Sequence, residues 1–190
     1  MSEENRKAIR ISVRNLVEFV LRSGDIDNRR SGNAQKDAML AGGRIHRKIQ
    51  KRMGSGYRAE VPLKHEVQDE EQEITLLVEG RADGIFTENG IPVIDEIKGM
   101  YTDISRLEEP IEVHLAQAMC YGYFYCCDKD LDGIRLQMTY CNLETEEIKR
   151  FQTDRSREEL ETWFSSVVHE YFKWARYLYH HELTRDASIE

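Results

Sequence analysis

Two short segments carry a pattern of residue types that could do chemistry: Glu79-Gly80-Arg81-Ala82-Asp83-Gly84, and beyond it Asp95-Glu96-Ile97-Lys98. Side chains two apart on a strand share a face. Glu96 and Lys98 therefore project together, while Asp95 and Ile97 turn to the other side. Between the segments, Glu88-Asn89-Gly90 is a tight hairpin signal, and such a hairpin lays Asp83 beside Glu96. Two carboxylates and an ammonium then converge at a sheet edge among Val and Ile. Carboxylates held close repel unless a cation lies between them, and Mg²⁺ or Mn²⁺ with oxygen ligands meets that need. The alternative is a surface hairpin whose charges form weak cross-strand pairs.

Helical spacing adds further polar groups. His46 shares a face with Met39, Ile49 and Met53, as a site residue or as a satisfied core histidine. Gly42 and Gly43 precede it, and each costs a helix about 1 kcal/mol against alanine. Their presence predicts a close backbone approach at that point. His114, Gln117 and Tyr121 make a polar stripe on a helix otherwise built of Leu115, Met119, Tyr123 and Phe124. That stripe either serves a site or faces water.

The elements that must hold these residues follow from periodicity and turn chemistry. A short amphipathic helix is predicted over residues 12–22, with turn formers at 23–25 and 29–33, and a longer helix runs from an Asn33 cap to Met53, ended by Gly54-Ser55-Gly56. Three strands follow, at 57–67, 74–86 and 91–98, and then a helix over 111–127. A hairpin at 134–142 and 147–151 leads to Ser156-Arg157-Glu158-Glu159, a capping box that opens a final long helix. The expected fold is a single α/β (α+β) domain with a central mixed sheet of about five strands.

Composition bounds the function. The 190 residues are 40% hydrophobic and 33% charged, too apolar for a disordered chain. The longest apolar run, Tyr123 to Cys127, is too short to cross a bilayer, and the N-terminus has no signal-peptide pattern, so a cytoplasmic protein is expected. No phosphate-binding G-x-x-x-x-G-K-[ST] loop is present, which excludes an ATPase of that type. Net charge is −8, but it is polarised. Residues 1–60 carry 14 basic against 7 acidic side chains, and residues 61–130 carry 5 against 16. Arg29, Arg30, Arg44, Arg47, Lys48, Lys51 and Arg52 surround the histidine helix and could guide a phosphate backbone towards the acidic segment. The cysteines Cys120, Cys126, Cys127 and Cys141 form no C-x-x-C pair and read as inert small apolar groups.

Taken in order, Gly43-x-x-His46 on a helix, Gly80-Arg81-Ala82-Asp83-Gly84, Glu96-Ile97-Lys98 and Gln117-x-x-x-Tyr121 resemble the PD-(D/E)xK nucleases, in particular the RecB-like exonuclease branch. The resemblance covers about residues 36–142 and implies a restriction-endonuclease-like core of order α-β-β-β-α-β. His46, Asp83, Glu96 and the main-chain carbonyl of Ile97 match the family's metal ligands. Lys98 matches its catalytic lysine, and Gln117 and Tyr121 match the motif that supports the site and contacts DNA. The proline that names the superfamily is absent, since Ala82 precedes Asp83.

The implied activity is metal-dependent hydrolysis of DNA, as an exonuclease on single-stranded ends in repair or recombination, leaving a 5′-phosphate and a 3′-hydroxyl. One or two Mg²⁺ or Mn²⁺ ions are implied. Some RecB-like relatives hold an iron–sulfur cluster with one cysteine upstream of the histidine motif. Here no cysteine precedes Cys120, so no cluster is expected. Bacterial helicases of the XPD/DinG type can carry such a nuclease domain at their N-terminus, which makes a helicase domain in the same full-length chain an expected partner. The alternative within this resemblance is a non-catalytic module that keeps the fold to dock DNA or a protein partner.

Overall fold

A computed structural model describes residues 7–21, 32–71 and 73–187. Along them run β1 (Lys7–Ser12), α1 (Val13–Leu21), α2 (Gly32–Arg52), β2 (Arg58–Gln68) and β3 (Ile74–Glu88). They are followed by β4 (Ile91–Met100), α3 (Glu112–Lys129), β5 (Gly133–Asn142), β6 (Ile148–Ser156) and α4 (Arg157–Ala187). From α2 to β5 the order is the expected α-β-β-β-α-β. The strands form one six-stranded mixed sheet flanked by helices, in the order β1-β3-β4-β5-β6 with β2 also against β3. Of the predicted breaks at 23–25 and 29–33, residues 23–25 and 29–31, with Arg29 and Arg30, lie outside the described residues, while Gly32 and Asn33, read as a turn former and a cap, already belong to α2.

β1 is a strand that periodicity did not anticipate. It pairs parallel with Ile74 to Glu79, and its six residues are too few for a clear alternation. β1 and β2 both pair residues 75–79 of β3, so they lie on opposite edges of it, and β2 and β4 both pair Gly84 and Ile85. β1 and β4 therefore share one edge of β3. β4, which carries Glu96 and Lys98, lies between β3 and β5 inside the sheet. The expectation of a site at a sheet edge is corrected accordingly.

Turn and cap chemistry behave as the sequence dictates. Asn89 and Gly90 take positive φ values of 51° and 80°, which a tight hairpin needs. Ser156 Oγ accepts the Glu159 N–H at 3.1 Å while Glu159 Oε2 accepts the Ser156 N–H at 2.8 Å, a reciprocal capping box. Ser12 caps α1 by accepting the Asn15 N–H at 3.1 Å.

Alternation along β4 then separates two layers. Ile94 joins the main core with Ala116, Cys120 and Phe124 of α3, and with Val13, Leu16 and Val17 of α1. Ile97, of opposite parity, packs against Ile45 and Ile49 of α2 on the other face. All four cysteines are free thiols, and Cys120, Cys126 and Cys141 are buried. No helix among the described residues is long and apolar enough to cross a membrane.

The turn between β2 and β3 is clamped to α4 by charge. Asp69 has a fully buried side chain whose Oδ1 accepts the Ile74 N–H at 3.0 Å. Its Oδ2 faces Arg176 Nε at 3.6 Å, an ion pair rather than a hydrogen bond, while Arg176 Nη1 donates to Glu71 at 2.8 Å. Nearby, the His65 ring lies 5.4 Å from Phe124, nearly parallel at 15°, with Phe164 edge-on at 5.6 Å. Burial lowers the pKa of His65, and the charge of Glu161 opposes this only in part.

Two predictions follow from this packing. Arg176→Ala leaves the Asp69 carboxylate buried without its cation and should lower unfolding free energy by about 3 kcal/mol in urea titrations. An unchanged midpoint would mean that the clamp contributes nothing. For His65, the unfolded chain takes up its proton before the folded one does. This contribution to stability is complete above the ordinary value of 6.5 and declines as pH falls below it. His65→Phe should therefore flatten the acid limb of the melting temperature below about pH 6.5, and a limb that is unchanged would refute the assignment.

Candidate active site

The site forms where the sheet opens. Along one edge of β3, β1 accompanies the chain as far as Glu79 and β4 joins it only at Gly84, so residues 80–83 face a fork between two strands. Tyr121 of α3 fills the fork, and its hydroxyl is hydrogen-bonded to the Arg81 backbone. A Cβ on Gly80 would lie 2.5 Å from that hydroxyl and 3.1 Å from the ring. Glycine at this position is thus a packing requirement.

Asp83 marks the end of the fork. Ala82 and Ile85 both enter the main core although they are three residues apart, so the strand twists between them. The β2–β3 ladder skips the step at which Asp83 would face Glu60, and Glu60 takes a left-handed φ of 54°. Side chains replace the missing ladder bonds. Gln50 Nε2 of α2 donates to the Asp83 carbonyl at 2.9 Å, and Asp83 Oδ2 accepts the Ile97 N–H at 2.7 Å. Asp83 Oδ1 lies 3.3 Å from His46 Nδ1. Burial would lower the His46 pKa, but the hydrogen bond and charge of Asp83 outweigh it and the net shift is upward.

Glu96 and Lys98 project from β4 as the alternation required. Lys98 Nζ lies 2.8 Å from Glu96 Oε1 and donates to Gln117 Oε1 of α3 at 2.8 Å. Glu96 is only 4% exposed, and its Oε2 has no hydrogen-bond partner among the described residues. Burial raises the Glu96 pKa, with the Lys98 ammonium opposing and the Asp83 charge adding to the rise. An orphaned carboxylate oxygen in a buried position is costly unless a cation satisfies it. The carboxylates and the imidazole of this region are a donor set that suits Mg²⁺ or Mn²⁺, although among the described residues Glu96 does not close into one ligand group with His46 and Asp83.

The residues read from the sequence are only partly brought together. His46 and Asp83 meet directly, Glu96 meets Lys98, and Lys98 meets Gln117. The His–acid trio that closes includes a different carboxylate: His46, Glu60 and Asp83 present ligand atoms within 4.8 Å of one another. Glu60 was missed because alternation assigns it to the exposed face of its strand. Folding β2 and β3 about the acidic turn at 69–73, with Gln68 opposite Thr75, would have set residue 60 opposite 83.

A cleft of about 540 Å³ opens over this centre, lined by His46, Ile97, Lys98, His114 and Gln117. Gly42 and Gly43 also line it, and a Cβ on Gly42 would meet nothing within 4 Å. Among the described residues no other backbone approaches there, and the two glycines leave that part of the cleft wall without side chains. Arg44 and Arg47 are exposed and do not line the cleft, and Lys48 is paired with Glu146 in the β5–β6 turn. Besides Lys98, Arg14 of α1 lines the cleft, 3.0 Å from Glu18.

On the opposite face, Asp95 is saturated. It accepts from Tyr57 at 2.8 Å, Thr139 at 2.6 Å and Gln137 at 3.1 Å. Burial raises its pKa, and these three hydrogen bonds oppose the rise. The Tyr57 ring reaches Asp95 by crossing Gly84, where a Cβ would lie 1.8 Å from the ring.

No protein-family model matches the chain, and no curated protein sequence matches it. Among solved structures, the protein described as SSO0001 superposes with a TM-score of 0.54 at 17% identity, over 89% of this chain and 78% of that one. An alkaline exonuclease (LHK-Exo) from Laribacter hongkongensis gives a TM-score of 0.45 at 13% identity, over 90% of this chain and 92% of that one. The first is a likeness of fold alone, and the second is too loose an overlap to carry an argument.

The glycines separate two effects that urea titration can read. Gly84→Ala should destabilise by about 1–3 kcal/mol, because the rigid Tyr57 ring must move off Asp95. Gly42→Ala should stabilise by about 1 kcal/mol through helix propensity, since its Cβ has open space. A Gly84→Ala midpoint equal to that of the unaltered protein would refute the packing.

Proposed function

We propose that this protein is a divalent-metal-dependent deoxyribonuclease that hydrolyses DNA phosphodiester bonds, acting as an exonuclease on single-stranded ends. The observation that carries this reading is the buried Glu96 carboxylate, with an unpartnered Oε2 and with Lys98 fixed 2.8 Å from its Oε1. The order of motifs resembling the RecB-like branch supports it, as does the adjacent His46–Asp83 pair. Asp83, Glu96, His46 and the carbonyl of Ile97 are the groups that would hold the ion. When bound, a divalent ion lowers the pKa of a water and offsets charge on the scissile phosphate. The imidazole tilts the donor set towards Mn²⁺ over Mg²⁺.

The chain's own residues do the rest. An ammonium has three donors, and Lys98 uses two on Glu96 and Gln117, which leaves one for the attacking water or a phosphate oxygen. Gln117 thus acts as a positioning residue for Lys98. Arg14, on the wall of the cleft, suits a neighbouring phosphate as a forked donor. Gly42 and Gly43 leave room for a strand to lie close to His46. Tyr121 supports the fork from within the core and does not line the cleft. Single-stranded ends are what a helicase supplies, so a helicase is the partner this reading favours.

Labelled single- and double-stranded DNA, incubated with Mn²⁺, Mg²⁺ or EDTA, tests the proposal. Cleavage should require the ion, favour single-stranded ends, and fall at least about a hundredfold in Asp83→Ala and Lys98→Ala. Absence of cleavage with either metal would sink the proposal, and equal cleavage by both variants would sink the residue roles.

A further inference from the structure

The far side of the sheet takes no part in the cleft. β6 ends the strand order beyond β5 and, among the described residues, pairs with β5 alone. Its nine residues, Ile148–Ser156, include no glycine or proline, and none has a positive φ. The ladder to β5 runs unbroken from Gly133 opposite Ser156 to Cys141 opposite Ile148. Its phase is fixed at both ends: the Asn142 N–H donates to the Glu147 carbonyl at 2.9 Å, and the Arg157 N–H to the Asp132 carbonyl at 2.7 Å. The odd-numbered residues of β6 therefore exchange backbone hydrogen bonds with β5. Arg150, Gln152 and Asp154 turn their N–H and C=O groups outward, and all three residues are exposed. A regular row of such groups is a template for a further strand.

We propose that β6 pairs antiparallel with β6 of a second copy of this chain, about a two-fold axis at Gln152, and so joins two sheets into one. With that axis, Arg150 lies opposite the partner's Asp154, and Asp154 lies opposite the partner's Arg150. Arg135 of β5 already holds Asp154 at 2.6 and 3.0 Å, so a row of alternating sign crosses the junction from Arg135 through Asp154 to the partner's Arg150. Moving the axis to Arg150 or to Asp154 opposes like charges, and moving it to Phe151 or Thr153 leaves both charges without an opposite. Charges on such a strand deter indiscriminate pairing, and here their order of sign admits one register.

The other face of β6 agrees. Leu115, Leu136, Met138 and Phe151 line a cavity of about 500 Å³ beside the strand. Leu136 lies opposite Thr153, and Met138 opposite Phe151. The same axis sets the partner's Phe151 next to Thr153, whose small side chain leaves room for the ring beside Leu136. One row brings like charges together, Lys149 opposite the partner's Arg155. Lys149 is spent on the carbonyls of Ser105 and Leu107, and Glu108 and Glu109 line the same cavity and offset the partner's guanidinium.

Sedimentation velocity of the full chain, without DNA or metal, tests this. The unaltered protein should pass from monomer to dimer as its concentration rises through the micromolar range. Arg150→Asp and Asp154→Arg each turn two attractive pairs into two repulsive ones and should weaken the dimer by about tenfold or more. Combining the two substitutions restores opposite signs and should recover most of the lost affinity, with circular dichroism verifying that each variant is folded. Residue-resolved hydrogen exchange needs no variant: the amides of Arg150, Gln152 and Asp154 should slow as concentration rises, while those of Phe151 and Thr153 stay slow throughout. A monomer at every concentration would overturn the proposal. So would a dimer that the single variants leave unchanged, a double variant no tighter than the singles, or outward amides that exchange as fast in the dimer as in the monomer. The nuclease reading is decided separately, by DNA cleavage.

Discussion

At Asp83, β3 gives up its ladder on both sides at once, and the position of every other group in the cleft follows from how that loss is made good. A buried backbone group left without a partner costs about 1–3 kcal/mol. Here the Asp83 carboxylate takes the Ile97 N–H, and the Gln50 amide takes the Asp83 carbonyl. These two bonds tie β4 and α2 to the same residue. His46, one turn before Gln50 on α2, is thereby set against Asp83 Oδ1, and Glu96 and Lys98 on β4 are set beside it. The fork stays open because Tyr121 occupies it and Gly80 has no side chain to exclude the ring.

Adjacent carboxylates on β4 illustrate how one strand serves two ends. Asp95 is saturated by Tyr57, Thr139 and Gln137, which fastens β4 to β5 and to the segment before β2. Glu96 has one oxygen on Lys98 and, among the described residues, no partner for the other. Burial raises both pKa values, yet only Asp95 has a full set of donors to offset it. The first arrangement is what a structural carboxylate needs, and the second is what a ligand needs. Parity along a strand is enough to keep the two apart.

Much of this was legible from residue types and spacing. The Asn89-Gly90 hairpin, the Ser156–Glu159 capping box and the projection of Glu96 with Lys98 are local consequences of turn, cap and strand geometry, and each stands as read. What escaped depends on long-range pairing. β1 is short and makes its partnership across more than sixty residues, so its six side chains carry too little pattern. Glu60 belongs to the centre only through a kink that alternation does not encode. The basic helix is a related case: charge along a sequence does not say which face meets the cleft. Lys48 turned to Glu146, and Arg14 on another helix reached the wall instead.

The kink at Glu60 has a consequence for the protein's behaviour in concentrated solution. Among the described residues β2 is an edge strand of eleven residues paired with β3 alone, and a flat edge of that length invites another chain to add to the sheet. The left-handed residue bends the edge, Pro62 removes an N–H two positions on, and Lys64 adds an exposed charge. The departure from regularity that brings a carboxylate to Asp83 also spoils the template for edge-to-edge aggregation. Straightening β2 to tidy the strand would sacrifice both.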